Sequence, residues 1–354
     1  MAAKKKASPA KSAPVRIGII GLGRAGWGMQ TSDLRKNPNF EIAAVCDIDE
    51  KRVEAAKMEF GCAGYADYRQ FVKDPNLELV SVATRSCDHA KHAIAALNAG
   101  KSVMIEKPMA MRLSEADRIL AAAEKSPGKL IVRHNRRFDP DFVHIKEIVD
   151  SGKLGDVARI KLYRHQYQRR DDWQTIKEFG GGQLLNWGPH LIDHALQFLG
   201  YSVKRIFARL NRVAAVGDAE DDVKVMLEGQ SGLVVDIEIS GGDAIGGENT
   251  YKVVGTKGGL TANRKEIRLK YLKRKPRPIQ ADRGTPPWGA GFGRGGGELE
   301  WAEETIAVGP KRKIKGFWDC VYDTIRRGEP FPVSLQEARE VVRVTDLILR
   351  GSGF

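Results

Sequence analysis

The run Val15-Arg16-Ile17-Gly18-Ile19-Ile20 leads directly into Gly21-Leu22-Gly23-Arg24-Ala25-Gly26. An apolar strand that ends in G-x-G-x-x-G and opens a helix leaves few folds available. Gly21 allows a tight turn, Gly23 lets the backbone approach a pyrophosphate, and Gly26 lets the helix pack close to the strand. The helix N-terminus then faces the anion. The same spacing recurs at Gly291, Gly293 and Gly296, where no strand precedes it and no helix follows, so that copy carries no weight. In the first copy a second apolar run, Glu41 to Cys46, ends at Asp47, roughly 20 residues on, where a carboxylate accepts hydrogen bonds from the ribose hydroxyls. The dinucleotide is thus expected at Gly21, Gly23, Arg24, Ala25, Gly26 and Asp47. A carboxylate repels a 2′-phosphate, so NAD is expected ahead of NADP. Lys51 and Arg52 soften that preference and keep NADP possible, and Asp49 rather than Asp47 is the natural cap of the next helix.

Downstream, apolar runs at Leu79 to Thr84, Ser102 to Glu106 and Lys129 to His134 alternate with segments of helical period around 25–36, 50–60, 88–99 and 114–124. That is the pattern of repeated β-α units about a parallel sheet covered on both faces. After Arg137 the texture changes. One helix is expected at 140–151, then longer strands joined by Gly, Asp and Asn turns at 157–168, 203–210, 221–229, 232–240 and 250–256, as in an antiparallel meander. A single long helix, 183–199, interrupts them, and Ser334 with Glu337 forms a capping box before a last helix. These features divide the chain into a disordered basic tail (1–14), an α/β Rossmann NAD-binding domain (15–137) and an α+β domain (138–354). The last is expected to rest on a large open, mostly antiparallel sheet that binds substrate. Its uncovered face calls for a second subunit, so a homo-oligomer, dimer or tetramer, is expected.

The 354 residues include no apolar run of membrane-spanning length. Four scattered cysteines, no C-x-x-C pair and no signal-peptide pattern point to a reducing, cytoplasmic setting. The net charge of +13 raises nucleic-acid binding as an option. The excess sits in the lysine tail, in Arg264 to Arg277 and in Lys311, Arg312, Lys313 and Lys315, leaving the rest near neutral. Neither late segment interleaves aromatics for base stacking, which disfavours nucleic acid. Gly284 to Gly297 is read as a flexible loop.

Chemistry is expected in two places. Glu106-Lys107-Pro108 follows the fifth expected strand, at the carboxyl edge where doubly wound sheets place ligands, and a lysine there can move a proton if its pKa is depressed. The segment from Gly180 to His194 holds Asn186, His190 and His194 at intervals of four, on one face of a helix. Two histidines so spaced could hold zinc, but His190-Leu191-Ile192-Asp193-His194 lacks the glutamate of the metalloprotease motif and no cysteine is near, so no metal is expected.

Together, GLGRAG, VATRSCDHAKHAIAALNAGKSVMIEKPMA, NRRFDPDF and GGGQLLNWGPHLID resemble the Gfo/Idh/MocA oxidoreductases, the glucose-fructose oxidoreductase and inositol dehydrogenase family. FPVSLQEAREVV resembles the family's closing helix. The resemblance implies hydride transfer between NAD(P) and a secondary hydroxyl or ketone of a sugar, sugar derivative or cyclitol. Lys107 and His190 become the acid/base pair, and Thr84, His89, Glu106 and Lys107 join the cofactor residues with Arg137, or its neighbour Arg136. Asn186, His165 and Trp173 are the substrate candidates, with Tyr163 and Tyr167. Asn186 stands where many relatives have aspartate, and an amide cannot be a base, so Lys107 or His190 must carry the proton. Arg85 also departs from the usual segment. Two alternatives remain: glycoside cleavage through transient oxidation and elimination, and a non-catalytic, nucleotide-bound regulator.

Overall fold

The computed structural model of the protein describes residues 13–247, 250–278, 280, 283–284, 299–308 and 315–354. The basic tail through residue 12, the Gly-rich stretch 285–297 and Lys311, Arg312 and Lys313 lie outside the described residues.

The first half builds a six-stranded parallel sheet from β1 (Val15–Ile20), β2 (Phe40–Cys46), β3 (Ala63–Tyr65), β4 (Leu79–Val82), β5 (Ser102–Ile105) and β6 (Leu130–Val132), in the order β3-β2-β1-β4-β5-β6. The order reverses between β1 and β4, which opens a crevice above their carboxyl ends. All four residues of β4 are buried, as both faces of the sheet are covered. Helices α1 (Ser32–Leu34), α2 (Glu50–Phe60), α3 (Tyr68–Phe71), α4 (His89–Asn98) and α5 (Leu113–Lys125) connect the strands. A wider, π-type helical stretch at Arg24–Thr31 leads into α1. Strand β3 is too short and too exposed to show as an apolar run.

After α6 (Pro140–Asp150), the chain forms an eight-stranded sheet: β7 (Val157–His165), β8 (Val203–Asn211), β9 (Asp222–Gly229), β10 (Val234–Ser240), β11 (Tyr251–Gly255), β12 (Gly258–Ala262), β13 (Glu266–Leu272) and β14 (Trp301–Ala307). Their order is β14-β13-β12-β11-β7-β10-β9-β8. Every neighbouring pair is antiparallel except β7 with β10. Those two are linked by a long crossover rather than a hairpin, which allows the parallel pairing. Half of the basic segment at 264–277 is therefore strand, Glu266–Leu272. Its Lys270 pairs with Glu303 and its Arg274 with Glu300, so β14 and the residue before it offset part of the local charge.

The expected single helix at 183–199 is two helices, α7 (Gln183–Asn186) and α8 (Gly188–Leu199), meeting at Trp187. Pro189 has no N–H to give to Leu185 O, and the chain tightens there: the His190 and Leu191 N–H groups both donate to Trp187 O. The last helices, α9 (Phe317–Arg327) and α10 (Leu335–Gly351), return to the parallel sheet. Phe317, Val321 and Tyr322 pack with Val15, Ile17 and Ile19 of β1. Helix α10 joins two cores, with Ala338 and Val342 in the parallel-sheet core and Val341, Val344 and Ile348 in that of the large sheet. Ser334 and Glu337 form the expected capping box.

Candidate active site

The glycine-rich turn is held by the end of β2. Leu22 N donates to Asp47 Oδ2 at 2.6 Å and Asp49 N to Asp47 Oδ1 at 2.9 Å. Asp49, through Oδ1, accepts from Lys51 N and caps α2. A Cβ at Gly26 would collide with Gly21 O, whereas one at Gly23 would meet no protein atom within 4 Å. Gly26 thus serves packing, and Gly23 leaves its backbone open to the groove. Residues Gly21, Gly23, Arg24, Ala25, Asp47 and Thr84 line a cleft of about 400 Å³, with Arg52, Tyr68 and Trp173 on its walls. A dinucleotide fits this donor set: an open glycine cradle at a helix start, with a carboxylate at the end of the second strand.

A narrower space of about 120 Å³ shares Arg24, Ala25, Thr84 and Trp173 with that cleft and adds His89, Glu106, Lys107, Arg136, Asn186 and His190. It lies where the carboxyl end of β5 meets the α7–α8 junction. Lys107 Nζ donates to Asn186 O at 2.7 Å and to Asn186 Oδ1 at 3.3 Å. Burial lowers the Lys107 pKa to about 8; Glu106 opposes the shift, while Arg24, Arg136 and Arg133 add to it. His190 is buried, its Nδ1 has no hydrogen-bond partner among the described residues, and burial followed by the charges of Lys107 and Arg136 pulls it well below the ordinary histidine value. At neutral pH it is an uncharged imidazole.

Glu106 lies beneath this surface. It accepts from Gln30 Nε2 at 2.9 Å and Arg133 Nη1 at 3.2 Å. Burial works to raise its pKa, but Arg133, Lys107 and Gln30 together outweigh burial and keep it ionised. His89 Nδ1 lies 2.7 Å from Pro108 O and Nε2 lies 3.2 Å from Thr84 O; burial keeps the ring neutral, so one of the two nitrogens donates and the ring packs between the loops after β4 and β5. Thr84 Oγ1 also meets His92 Nδ1 at 3.1 Å.

Four expected site residues lie elsewhere: Arg137, His165, Tyr163 and Tyr167, of which the two tyrosines line neither space and Tyr167 is exposed. Arg137 does not reach the cleft: its guanidinium donates to Asp193 at 2.7 and 2.5 Å, to Glu337 at 2.7 Å and to the Tyr201 hydroxyl at 2.7 Å. Its neighbour Arg136 lines the cleft instead. His165 lies on the open side of the large sheet, 3.3 Å from Glu238 and 3.5 Å from Asp243. On β7, Ile160 and Leu162 point into the core, so strand alternation sends Arg164 inward and Lys161, Tyr163 and His165 outward. His194 faces the core, stacked on Phe142, with Nδ1 2.9 Å from the Tyr251 hydroxyl and Nε2 3.2 Å from Arg136 O. Among the described residues no three His, Cys, Asp or Glu side chains gather as a metal site.

Several residues near the site carried no clear sequence signal. Gln174 Nε2 donates to Asn186 Oδ1 at 3.3 Å, while Gln174 Oε1 accepts from Arg24 Nη2 at 3.3 Å and from Arg170. The loop after β7 is thereby tied to the glycine turn. Glu220 accepts from Leu184 N at 2.9 Å beneath α7, and burial raises its pKa to about 7. Arg85, noted above for its departure from the usual segment, lines the larger cleft and stacks over Phe179 at 4.3 Å. Only Arg164 was legible in principle, from the parity of Ile160 and Leu162.

Two family models match the chain, one described as an oxidoreductase family with an NAD-binding Rossmann fold over residues 15–134, the other as the GFO/IDH/MocA C-terminal domain over 142–261. The chain is 31% identical over 231 residues to 1-carboxy-3-chloro-3,4-dihydroxycyclohexa-1,5-diene dehydrogenase of Comamonas testosteroni, spanning 64% of this chain and 58% of that protein. It is 29% identical over 258 residues to myo-inositol 2-dehydrogenase of Thermotoga maritima, spanning 70% and 75% of the two. An NAD-binding protein from Listeria innocua superposes with a TM-score of 0.80 at 23% identity, covering 96% of this chain and 95% of that one. Levoglucosan dehydrogenase, solved with NADH and levoglucosan, superposes with a TM-score of 0.78 at 20% identity over 96% and 97%.

Proposed function

Because the chain belongs to the Gfo/Idh/MocA family of NAD-binding oxidoreductases, we propose that it moves hydride between NAD and a secondary hydroxyl or ketone of a sugar, sugar derivative or cyclitol. The observation that carries this reading is the half-buried ammonium of Lys107, anchored by Asn186 beside an uncharged His190 where the cofactor groove narrows. The myo-inositol and levoglucosan dehydrogenases named above support the substrate class.

Oxidation of a secondary alcohol takes a hydride from its carbon and a proton from its oxygen. NAD, when bound, supplies the hydride acceptor. In this reading Lys107 and His190 both hydrogen-bond the reacting oxygen, and Lys107 takes the proton. A pKa of about 8 leaves part of the amine free at neutral pH, whereas burial makes an imidazolium at His190 costly. Asn186 cannot take a proton; its carbonyl and amide oxygens hold Lys107 in place. Asp47 favours NAD over NADP. The exposed Phe207 and Met226 on β8 and β9 support a homo-oligomer, whose size light scattering would give. The free cysteines fit a reducing, cytoplasmic setting.

The test follows absorbance of the reduced cofactor with NAD or NADP against aldoses, inositols, sugar phosphates and glycosides, with product release measured alongside. Cofactor reduction with one polyol class is expected. Glycoside cleavage without net reduction would replace this reading with elimination, and unchanged turnover in Lys107→Ala would remove Lys107 from the mechanism.

A further inference from the structure

The inward parity of β7 brings a second guanidinium to the helix junction. Arg164 Cζ lies 4.4 Å from the centroid of the Trp187 ring, and Arg136 Cζ lies 4.5 Å from the same centroid. Trp187 and Arg136 line the narrow cleft with Lys107, Asn186 and His190. The two guanidinium charges are therefore at most about 9 Å apart on one half-buried indole, a spacing at which like charges still repel near a protein surface.

Their charges are poorly matched by acids. Arg136 Nη1 bonds Asp139 Oδ2 at 2.9 Å, but Arg164 Nη2 donates to the neutral Gln166 Oε1 at 2.8 Å and has no carboxylate partner among the described residues. The Nε atoms of both arginines are buried without a hydrogen-bond partner among the described residues. Burial, then Arg264 and Arg136, pull Arg164 below the ordinary arginine value. Asp139 and Asp141 are the nearby counter-charges, and burial disfavours the ionised form of both. Lys107 adds a further positive charge on the cleft side. A guanidinium stacked on an aromatic face keeps its in-plane N–H edge available, and that edge matches a carboxylate or phosphate oxygen pair.

We propose that Arg136 and Arg164, stacked on Trp187, form an anion subsite at the substrate end of the cleft, and that the sugar or cyclitol bears a compact anionic group, carboxylate or phosphate ester. An anion there would relieve the repulsion between the two guanidinium groups. The dehydrogenase reading supplies the reacting carbon; the subsite rests on the arginines alone.

The test reads binding, not turnover. Full-length protein with NAD present is titrated calorimetrically with D-glucuronate, D-galacturonate and D-gluconate in one arm, glucose-6-phosphate and inositol-1-phosphate in a second, and glucose, galactose and myo-inositol as neutral references. At least one acidic arm is expected to bind about tenfold or more tightly than its neutral references, and the better arm identifies the anion. Arg164→Gln should abolish that preference and Arg164→Lys, which keeps charge but loses the fork, should reduce it, with NADH affinity unchanged. If Arg164→Gln does not fold, Arg136→Gln tests the acidic preference alone, without the NADH control, because Arg136 lines the cleft. Equal binding of acidic and neutral probes, or a preference that survives Arg164→Gln and Arg136→Gln, overturns the subsite. Oxidation of a neutral polyol with no acidic preference overturns the subsite and leaves the dehydrogenase standing. An acidic preference without cofactor reduction does the reverse.

Discussion

Lys107 Nζ donates to the main-chain carbonyl of Asn186 at 2.7 Å, and that carbonyl is free because the helix breaks at the next residue. In an unbroken helix, the His190 N–H would occupy Asn186 O. Here it donates to Trp187 O at 3.1 Å. The same break exposes the acceptor that fixes Lys107 and starts the helix that carries His190.

Lys107→Ala is expected to lower kcat by about 10²- to 10⁴-fold with little change in NADH affinity, the range for loss of a general acid or base. The pH profile carries the sign. Because the pKa is depressed to about 8, the free amine accumulates as pH rises through that value. Alcohol oxidation should therefore rise with pH and level off above it, and ketone reduction should fall. A kcat profile with no inflection near pH 8 would count against Lys107 as the proton acceptor.

Two alanine substitutions in the glycine turn should separate. Gly23→Ala adds a methyl where no protein atom lies within 4 Å, so melting temperature should hold while NAD affinity drops by about tenfold or more, since the methyl projects into the cradle. Gly26→Ala drives its methyl into Gly21 O and should lower the melting temperature itself. Calorimetry and NADH fluorescence measure both.

Asp47→Asn should shift the cofactor ratio. The amide oxygen can still accept from Leu22 N but no longer repels a 2′-phosphate, and Arg52 lies 3.8 Å from the carboxylate it replaces. The NADP-to-NAD ratio of kcat/KM should rise by about tenfold, equivalent to ~1.4 kcal/mol. A wild-type enzyme with equal kcat/KM for both cofactors would remove the premise.

Arg137→Met tests a clamp, not a cofactor contact. It leaves the fully buried Asp193 without its counter-charge, which should cost about 3–5 kcal/mol in denaturant unfolding. NADH affinity of the folded fraction should stay at the wild-type value. A selective loss of NADH binding without loss of stability would return Arg137 to the cofactor site.

Glu220 supplies a pH-dependent stability test. Its folded pKa, raised to about 7 by burial, means the folded state holds a proton that the unfolded chain releases nearer pH 4.5. The stability tied to that proton is complete below the unfolded value and is lost as pH rises through about 7. Glu220→Gln removes this loss, so it should be more stable than wild type at pH 8 by on the order of 1–3 kcal/mol, with the difference shrinking toward pH 5. Melting curves at the two pH values decide it, and a constant difference would rule out titration of Glu220 as the cause.

The cofactor half was legible because it is local. A strand, a glycine turn and an acid at the next strand end are set by residues close in sequence, and the Leu22 N to Asp47 Oδ2 hydrogen bond joins them. Lys107 was equally readable from its place at a strand end. His165 misled because a long strand shows two faces, and only the buried Ile160 and Leu162 tell which one is inside. Arg137 misled because adjacent arginines are indistinguishable until Asp193, Glu337 and Tyr201 claim one of them.

By itself the sequence determined the β-α order, the dinucleotide turn and the lysine at the strand end. These depend on backbone sterics and short-range periodicity, which act within a few residues of chain. Tertiary structure decided which arginine faces the cleft and that α10 packs against both sheets. Those choices depend on burial and on charges brought together from residues tens to hundreds of positions apart, and no local pattern encodes them.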